Sequence, residues 1–510
     1  MERRNFLKIT GLSSAGITLS SGTVIPVMNS SRAQGAVDIN PAPKFELSPW
    51  LYMQFMEPLG VTDSSVEAAW DHSADQWRED VVQVTRELAP GMIRWGGILS
   101  SYYRWREAVG PRKDRKPMLN IQWNGMESNQ IGTAEFVDFC NRVGADPLMS
   151  VNFESDGYPG WATTKKGDIR TANAKEAAEW VDYCNNPSNK ERIRHGFKDP
   201  LTIKVWQIGN ETSYGSNKFD VETAARKTVE FAKAMRAADP SIKLIGWGDS
   251  GWAEKMVDIA GEHLDYVAFH HMYDPGRNIK NSPLRDNLYR KDPAATWDIL
   301  MNGYKMHENL INQRRSEVSA SGMPLALTEC HYALPGRNRC EVLSSWAAGV
   351  SYARLMNLHE RNGDVLKIAT LADFCGTRWQ VNAIMIPVPG GKSFMMPVAK
   401  IMSLYRHHNG KEALELNNVP DGLDITASRT GNTIFLHVVN TSRYKTISAD
   451  FNITGMEITA ARAFELKTDP EYEIIGASND PLIPKERALS ANSPVEFPPA
   501  SVSAVELTIA

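Results

Sequence analysis

Two glutamates stand at the C-terminal ends of short apolar segments. Glu211 closes Ile203-Lys204-Val205-Trp206-Gln207-Ile208-Gly209-Asn210-Glu211, and Glu329 closes Met323-Pro324-Leu325-Ala326-Leu327-Thr328-Glu329. Apolar runs of four to eight residues ending in a polar one are the pattern of a fully buried parallel strand, and in a barrel of such strands the reacting groups sit at the C-terminal ends. A carboxylate pair at one rim suits the breaking of a glycosidic bond. Its oxocarbenium-like transition state needs one carboxylic acid to protonate the leaving oxygen and one carboxylate to stabilise or capture the anomeric carbon. A single Glu after a strand is more often a helix cap or a solvated loop residue, so the reading depends on what surrounds the pair.

The elements that must position them alternate. Between residues 50 and 405, eight apolar runs read as strands, at 51–56, 92–95, 147–152, 203–208, 242–247, 264–269, 325–328 and 366–372. Helical patterns fall at 75–88, 134–143, 174–184, 293–316, 341–361 and 394–406, and an amphipathic segment carrying Val221, Ala224, Ala225, Thr228, Ala232 and Met235 on one face ends at Asp239-Pro240. Strand and helix in alternation predict an α/β fold, a (β/α)8 TIM barrel with long loops, with a doubly wound open sheet as the competing architecture. After residue 408, alternating runs such as 423–427, 433–439 and 502–509 replace helices, which predicts a C-terminal antiparallel β-sandwich. The expected division is a signal peptide over 1–34, a catalytic barrel over 45–406 and an accessory domain over 407–510.

Composition narrows the class. The chain has 510 residues, more than one hydrophobic core usually serves, and its 42% hydrophobic and 23% charged residues are those of an ordinary globular protein. A net charge of -4 without a long basic run argues against a nucleic-acid partner. Glu2-Arg3-Arg4-Asn5-Phe6-Leu7-Lys8, followed by a mildly apolar stretch to Val27, is similar to a twin-arginine export signal and predicts a periplasmic or secreted protein. No later segment is apolar enough to span a bilayer. Five cysteines (Cys140, Cys184, Cys330, Cys340 and Cys375) lack paired spacing and imply neither a zinc site nor a disulfide framework; a Cys330–Cys340 bridge stays open. No His stands at ligand spacing from a second His or a carboxylate, so no metal set and no cofactor are expected.

Several colinear motifs sharpen this. Gln54-Phe55-Met56-Glu57-Pro58-Leu59-Gly60, Ala89-Pro90-Gly91-Met92-Ile93-Arg94-Trp95-Gly96-Gly97, Val109-Gly110-Pro111-Arg112, Trp206-Gln207-Ile208-Gly209-Asn210-Glu211 and Leu327-Thr328-Glu329 occur in that order. With them the chain resembles the retaining α-L-arabinofuranosidases of glycoside hydrolase family 51, in a clan of barrel glycosidases with Asn-Glu after strand four and Glu after strand seven. The resemblance implies that Glu211 is the general acid/base and Glu329 the nucleophile. It makes Asn210 a donor to the sugar 2-hydroxyl, and Glu57 and Arg94 sugar-binding and carboxylate-orienting groups. It offers a His and a nearby Tyr after strand six, here His270 and Tyr273. Two positions depart from the family pattern: Trp95-Gly96-Gly97-Ile98-Leu99 stands where Tyr-Pro-Gly-Gly-Asn is usual, and Trp379 stands for a Gln three residues before Asn382. The implied partner is a carbohydrate, an oligo- or polysaccharide. The implied activity is removal of furanosyl residues by double displacement. Another furanoside, an endo-acting glucanase or xylanase activity, transfer to a sugar acceptor, and a non-catalytic glycan-binding role remain open alternatives, as does the oligomeric state.

Overall fold

Eight runs buried on both faces become eight parallel strands, Met53–Met56, Met92–Trp95, Asp146–Val151, Val205–Ile208, Lys243–Trp247, Tyr266–Tyr273, Leu325–Tyr332 and Leu366–Ala369, called strands one to eight below. A computed structural model describes residues 36–510 except 58–64, 121–124, 159–168, 216–217, 338–339 and 491–492. The expected signal over 1–34 and the Pro58–Gly60 part of the first motif lie outside the described residues. Each strand pairs in parallel with its sequence neighbour. Their inward residues, among them Met53, Met92, Leu148, Val205, Ile245, Ala268, Ala326 and Ile368, form one apolar layer drawn from all eight strands. The sheet is therefore curled, and its outward residues pack under helices.

The helices follow from amphipathic patterns and local caps. Val221–Ala238 buries Ala224, Ala225, Thr228, Phe231, Ala232 and Met235, and its Asp220 cap accepts the Thr223 amide at 2.8 Å. Thr133–Val143 ends on Gly144 at φ 75°, the left-handed turn a side chain resists. The run expected as one helix over 293–316 is two, Pro293–Asn302 and Tyr304–Val318, and the helix expected from 341 begins at Trp346. Ala253–Ala260 is a further helix, between strands five and six.

The C-terminal part is sheet-rich. Glu412–Asn417, Leu423–Thr430, Thr433–Asn440, Val502–Ile509, Ile458–Leu466 and Lys485–Leu489 are antiparallel neighbours in that order. Val37–Glu46, at the other end of the chain, pairs antiparallel with Glu412–Asn417 because Val37 and Ile39 are fully buried in the C-terminal core. A hollow of about 460 Å³ lies where this sheet meets helix Trp346–Arg361. Its charges are spent on one another: buried Asp424 accepts from Arg354, Asn357 and Arg361. All five cysteines are buried and free, Cys330 and Cys340 included. Among the described residues no helix is long and apolar enough to cross a membrane.

Candidate active site

Strand four delivers Asn210 and Glu211 through a tight, strained turn. Gly209 has φ 83°, and a Cβ there would lie 2.6 Å from the Thr212 hydroxyl; Glu211 itself sits at φ 53°, a conformation that costs a non-glycine residue of order 1 kcal/mol or more. Asp156, from the loop after strand three, holds that turn: its Oδ1 accepts the Asn210 amide at 3.0 Å and the Thr212 hydroxyl at 2.7 Å.

Strands six and seven run past their expected ends, and the extension carries chemistry. Phe269 pairs with Leu327, but the next pair is His270 with Glu329, so strand seven holds one extra residue at this point. A bulge breaks the alternation of faces. Thr328 and Glu329 therefore both meet His270: its Nε2 is 2.9 Å from Thr328 Oγ1, and its Nδ1 is 3.7 Å from Glu329 Oε2. His270 Nδ1 also lies 3.1 Å from Glu211 Oε1. One atom each from Glu211, His270 and Glu329 falls within 4.8 Å of the other two.

Arg94, on strand two and wholly buried, ties the two glutamate strands together. Its Nη1 donates to Glu329 Oε1 at 2.8 Å, its Nη2 to Asn210 Oδ1 at 2.6 Å and its Nε to Gln207 Oε1 at 3.0 Å. The Asn210 amide is thereby oriented with Nδ2 as an unused buried donor among the described residues, and an unpaired buried donor costs about 1–3 kcal/mol unless a ligand meets it.

The carboxyls are set apart by their surroundings. Burial pushes Glu211 up to about 7, against the pull of Lys218 and Arg94. Burial also raises Glu329, and His270 and the directly ion-paired Arg94 oppose that rise. Glu57 is raised well above the usual range by burial and by the Glu329 charge, with the Leu99 amide donating to its Oε1 at 3.2 Å. A neutral carboxyl of that kind can donate a hydrogen bond. Burial lowers His270 to about 4, leaving a neutral ring beside the pair at neutral pH.

A cavity of about 380 Å³ opens over this cluster. Glu57, Glu211, Glu329 and Trp379 line it; Arg94 and His270 touch those carboxyls, and Asn210 is joined to them through Arg94. Tyr273 does not belong to it. Strand alternation sends His270 and Met272 inward and His271 and Tyr273 outward, where Tyr273 stacks on His271 at 4.2 Å and on His307 at 5.8 Å. Met272, not Tyr273, lines the cavity. Residues the sequence reading passed over are Asp156, Gln207, Thr328, His331 and Asp373, the last two in the cavity wall. A polar residue inside an apolar strand, Gln207 or Thr328, was the available signal.

Comparison with known proteins fits this geometry. Residues 84–290 match a family model described as "Alpha-L-arabinofuranosidase 1 domain". An intracellular exo-alpha-(1->5)-L-arabinofuranosidase of Acetivibrio thermocellus is 32% identical over 46% of this chain and 47% of its own length. The enzyme of that name from Streptomyces lividans is 26% identical over 81% of this chain and 65% of its own. The chain is similar to the alpha-L-arabinofuranosidases of glycoside hydrolase family 51. The solved GH51 arabinofuranosidase of Xanthomonas axonopodis pv. citri has the same fold as this chain, with a TM-score of 0.76 at 20% identity over 93% of this chain and all of that one. The match spans about half to two thirds of these curated relatives' length. The expectation of an exported, periplasmic or secreted protein is corrected here: these two relatives and two more carry "intracellular" in their names. Its basis was the paired arginines Arg3-Arg4 and the mildly apolar stretch after them, and those residues lie outside the described structure.

Proposed function

We propose that the chain is a retaining glycoside hydrolase that removes α-L-arabinofuranosyl residues from plant or microbial polysaccharide by double displacement. The observation that carries this is the convergence of Glu211 and Glu329, bridged by His270 within 4.8 Å, over an open cavity. Inverting enzymes need about 6.5–9.5 Å between carboxyls to seat a water, whereas retaining ones need about 5–5.5 Å. Glu329, ion-paired to Arg94, attacks the anomeric carbon while protonated Glu211 gives its proton to the leaving oxygen. Glu211 then takes a proton from water, which displaces Glu329 and releases the sugar with its configuration kept. Asn210 Nδ2 and the Glu57 carboxyl are the donors to sugar hydroxyls, and half-buried Trp379 supplies an apolar face at the mouth. The division into a closed (β/α)8 barrel over 45–406 and a β-sandwich over 407–510 belongs to the same reading, supported by the eight consecutive parallel strands and the antiparallel sheet.

The relatives' names make a terminal α-(1→5)-linked arabinofuranosyl the first substrate to try. The test is hydrolysis of aryl furanosides and pyranosides followed by proton NMR of the first-formed sugar. Retained configuration from an arabinofuranoside is expected. Inverted product, or no turnover of any glycoside, overturns the proposal.

A further inference from the structure

We propose that Glu211, His270 and Glu329 form a site for a divalent transition-metal ion of the zinc type, which closes the cavity to sugar when filled. Sequence spacing conceals this set, because its members come from strands four, six and seven. The two edges that meet at His270 approach tetrahedral spacing, and the two carboxylates would draw together on an ion. With metal–ligand bonds of about 2.0–2.1 Å, ligand atoms in a tetrahedron stand about 3.3 Å apart. His270 Nδ1 is 3.1 Å from Glu211 Oε1 and 3.7 Å from Glu329 Oε2, and all three ligand atoms lie within 4.8 Å.

The surroundings prepare each ligand. Thr328 Oγ1, 2.9 Å from His270 Nε2, can accept the ring proton there and leave the Nδ1 lone pair directed at the carboxylates. Arg94 binds Glu329 through Oε1, so Oε2 is the oxygen turned to His270. Asp373 adds a further carboxyl to the same cavity wall. A water on the cavity side would complete the coordination. One imidazole with two carboxylates selects zinc, copper or nickel over magnesium and calcium, which favour oxygen alone. Filling the site occupies both carboxylates that the proposed reaction uses, so such an ion acts as a reversible inhibitor competing with the glycoside. That inhibition rests on the proposed function; binding of the ion does not.

The test is calorimetric titration of ZnCl2 into the full chain cleared with EDTA, with MgCl2 as control. One zinc ion per chain and no heat from magnesium are expected. Glu211→Gln, which keeps the shape of the protonated acid, and His270→Ala should each abolish that binding, and Thr328→Val should weaken it roughly 10–100-fold by freeing the ring. Steady-state assays with an aryl arabinofuranoside should give inhibition that raises KM, leaves kcat unchanged and is reversed by EDTA. Stoichiometric zinc binding that survives in Glu211→Gln, or no stoichiometric binding to the parent chain, overturns the site. Binding that Glu211→Gln removes, in a metal-free chain that hydrolyses no glycoside, upholds the metal site and overturns the function instead.

Discussion

Replacing Glu211 by Gln separates the two roles of its burial, catalytic and energetic. The folded chain holds this carboxyl up to about 7, against an ordinary 4.5, chiefly through burial, and its side chain is only 16% exposed. Between those pH values the folded state carries a proton that the unfolded state has lost, so stability must fall as pH rises. The gap of about 2.5 pH units, at 1.36 kcal/mol each, makes about 3 kcal/mol lost by pH 8. Gln does not titrate, and its amide can donate toward His270 Nδ1 as the protonated acid does. The variant should match the parent near pH 4.5 and exceed it by about 3 kcal/mol at pH 8, or about 3 °C in Tm for a chain of this length. Urea and thermal unfolding at pH 4.5, 6 and 8 in EDTA measure this. Turnover should fall roughly 10²–10⁴-fold for substrates whose leaving group needs protonation. It should fall far less in the first step for an acidic phenol, and azide, which needs no general base, should restore release. Parallel stability curves for the two proteins would refute the assignment of Glu211 as the carboxyl held protonated; turnover of alkyl arabinofuranosides at the parent rate would refute its role as acid.

Glu329→Gln should lose several orders of magnitude in kcat while circular dichroism and Tm stay near parental, since the amide still fits beside Arg94. Arg94→Lys removes a fork that serves Glu329, Asn210 and Gln207 together, and should lower kcat roughly 10²-fold and move the acid limb of the pH–kcat profile upward as Glu329 loses its ion pair. Asp156→Asn takes the anionic acceptor from the turn that carries Asn210 and Glu211, and should cost roughly 1–3 kcal/mol in urea unfolding as well as kcat. Tyr273→Phe should leave kcat and KM unchanged, because that ring faces His271 and His307 rather than the cavity; a loss of kcat there would overturn the strand parity described above.

Most of the parallel sheet could be read because a strand buried on both faces writes a continuous apolar run, as Val205–Ile208 and Met92–Trp95 do. The same logic hid the ends of strands six and seven. His270, His271, Glu329 and His331 look like the first residues of a loop, yet they continue the ladder because a cavity, not apolar packing, receives the inward ones. Val37–Glu46 was illegible for another reason. Its Asn-Pro-Ala-Pro run breaks alternation, and the partner that orders it lies some 370 residues away, a pairing no local pattern encodes.

The site divides along the same line. Residue types at strand ends pointed to Glu211 and Glu329 as a pair, and the colinear motifs added Arg94 by resemblance. Orientation was another matter, since in a strand a slip of one residue reverses the face. Tyr273 was expected at the sugar because a Tyr was expected near the His; counted from His270 inward, the even step falls on Met272 and the odd one on Tyr273. On strand seven the bulge does the opposite and turns two consecutive residues, Thr328 and Glu329, toward one imidazole. That single inserted position lets Thr328 fix the His270 ring while Glu329 stands close enough to Glu211 to share it. Deleting Thr328 should therefore cost about as much as Thr328→Val: with Leu327 outward, the deletion leaves Glu329 as the next inward residue opposite His270, so both variants lose chiefly the hydrogen bond to the ring. A kcat far lower in the deletion variant would show that the extra residue also sets the direction of Glu329.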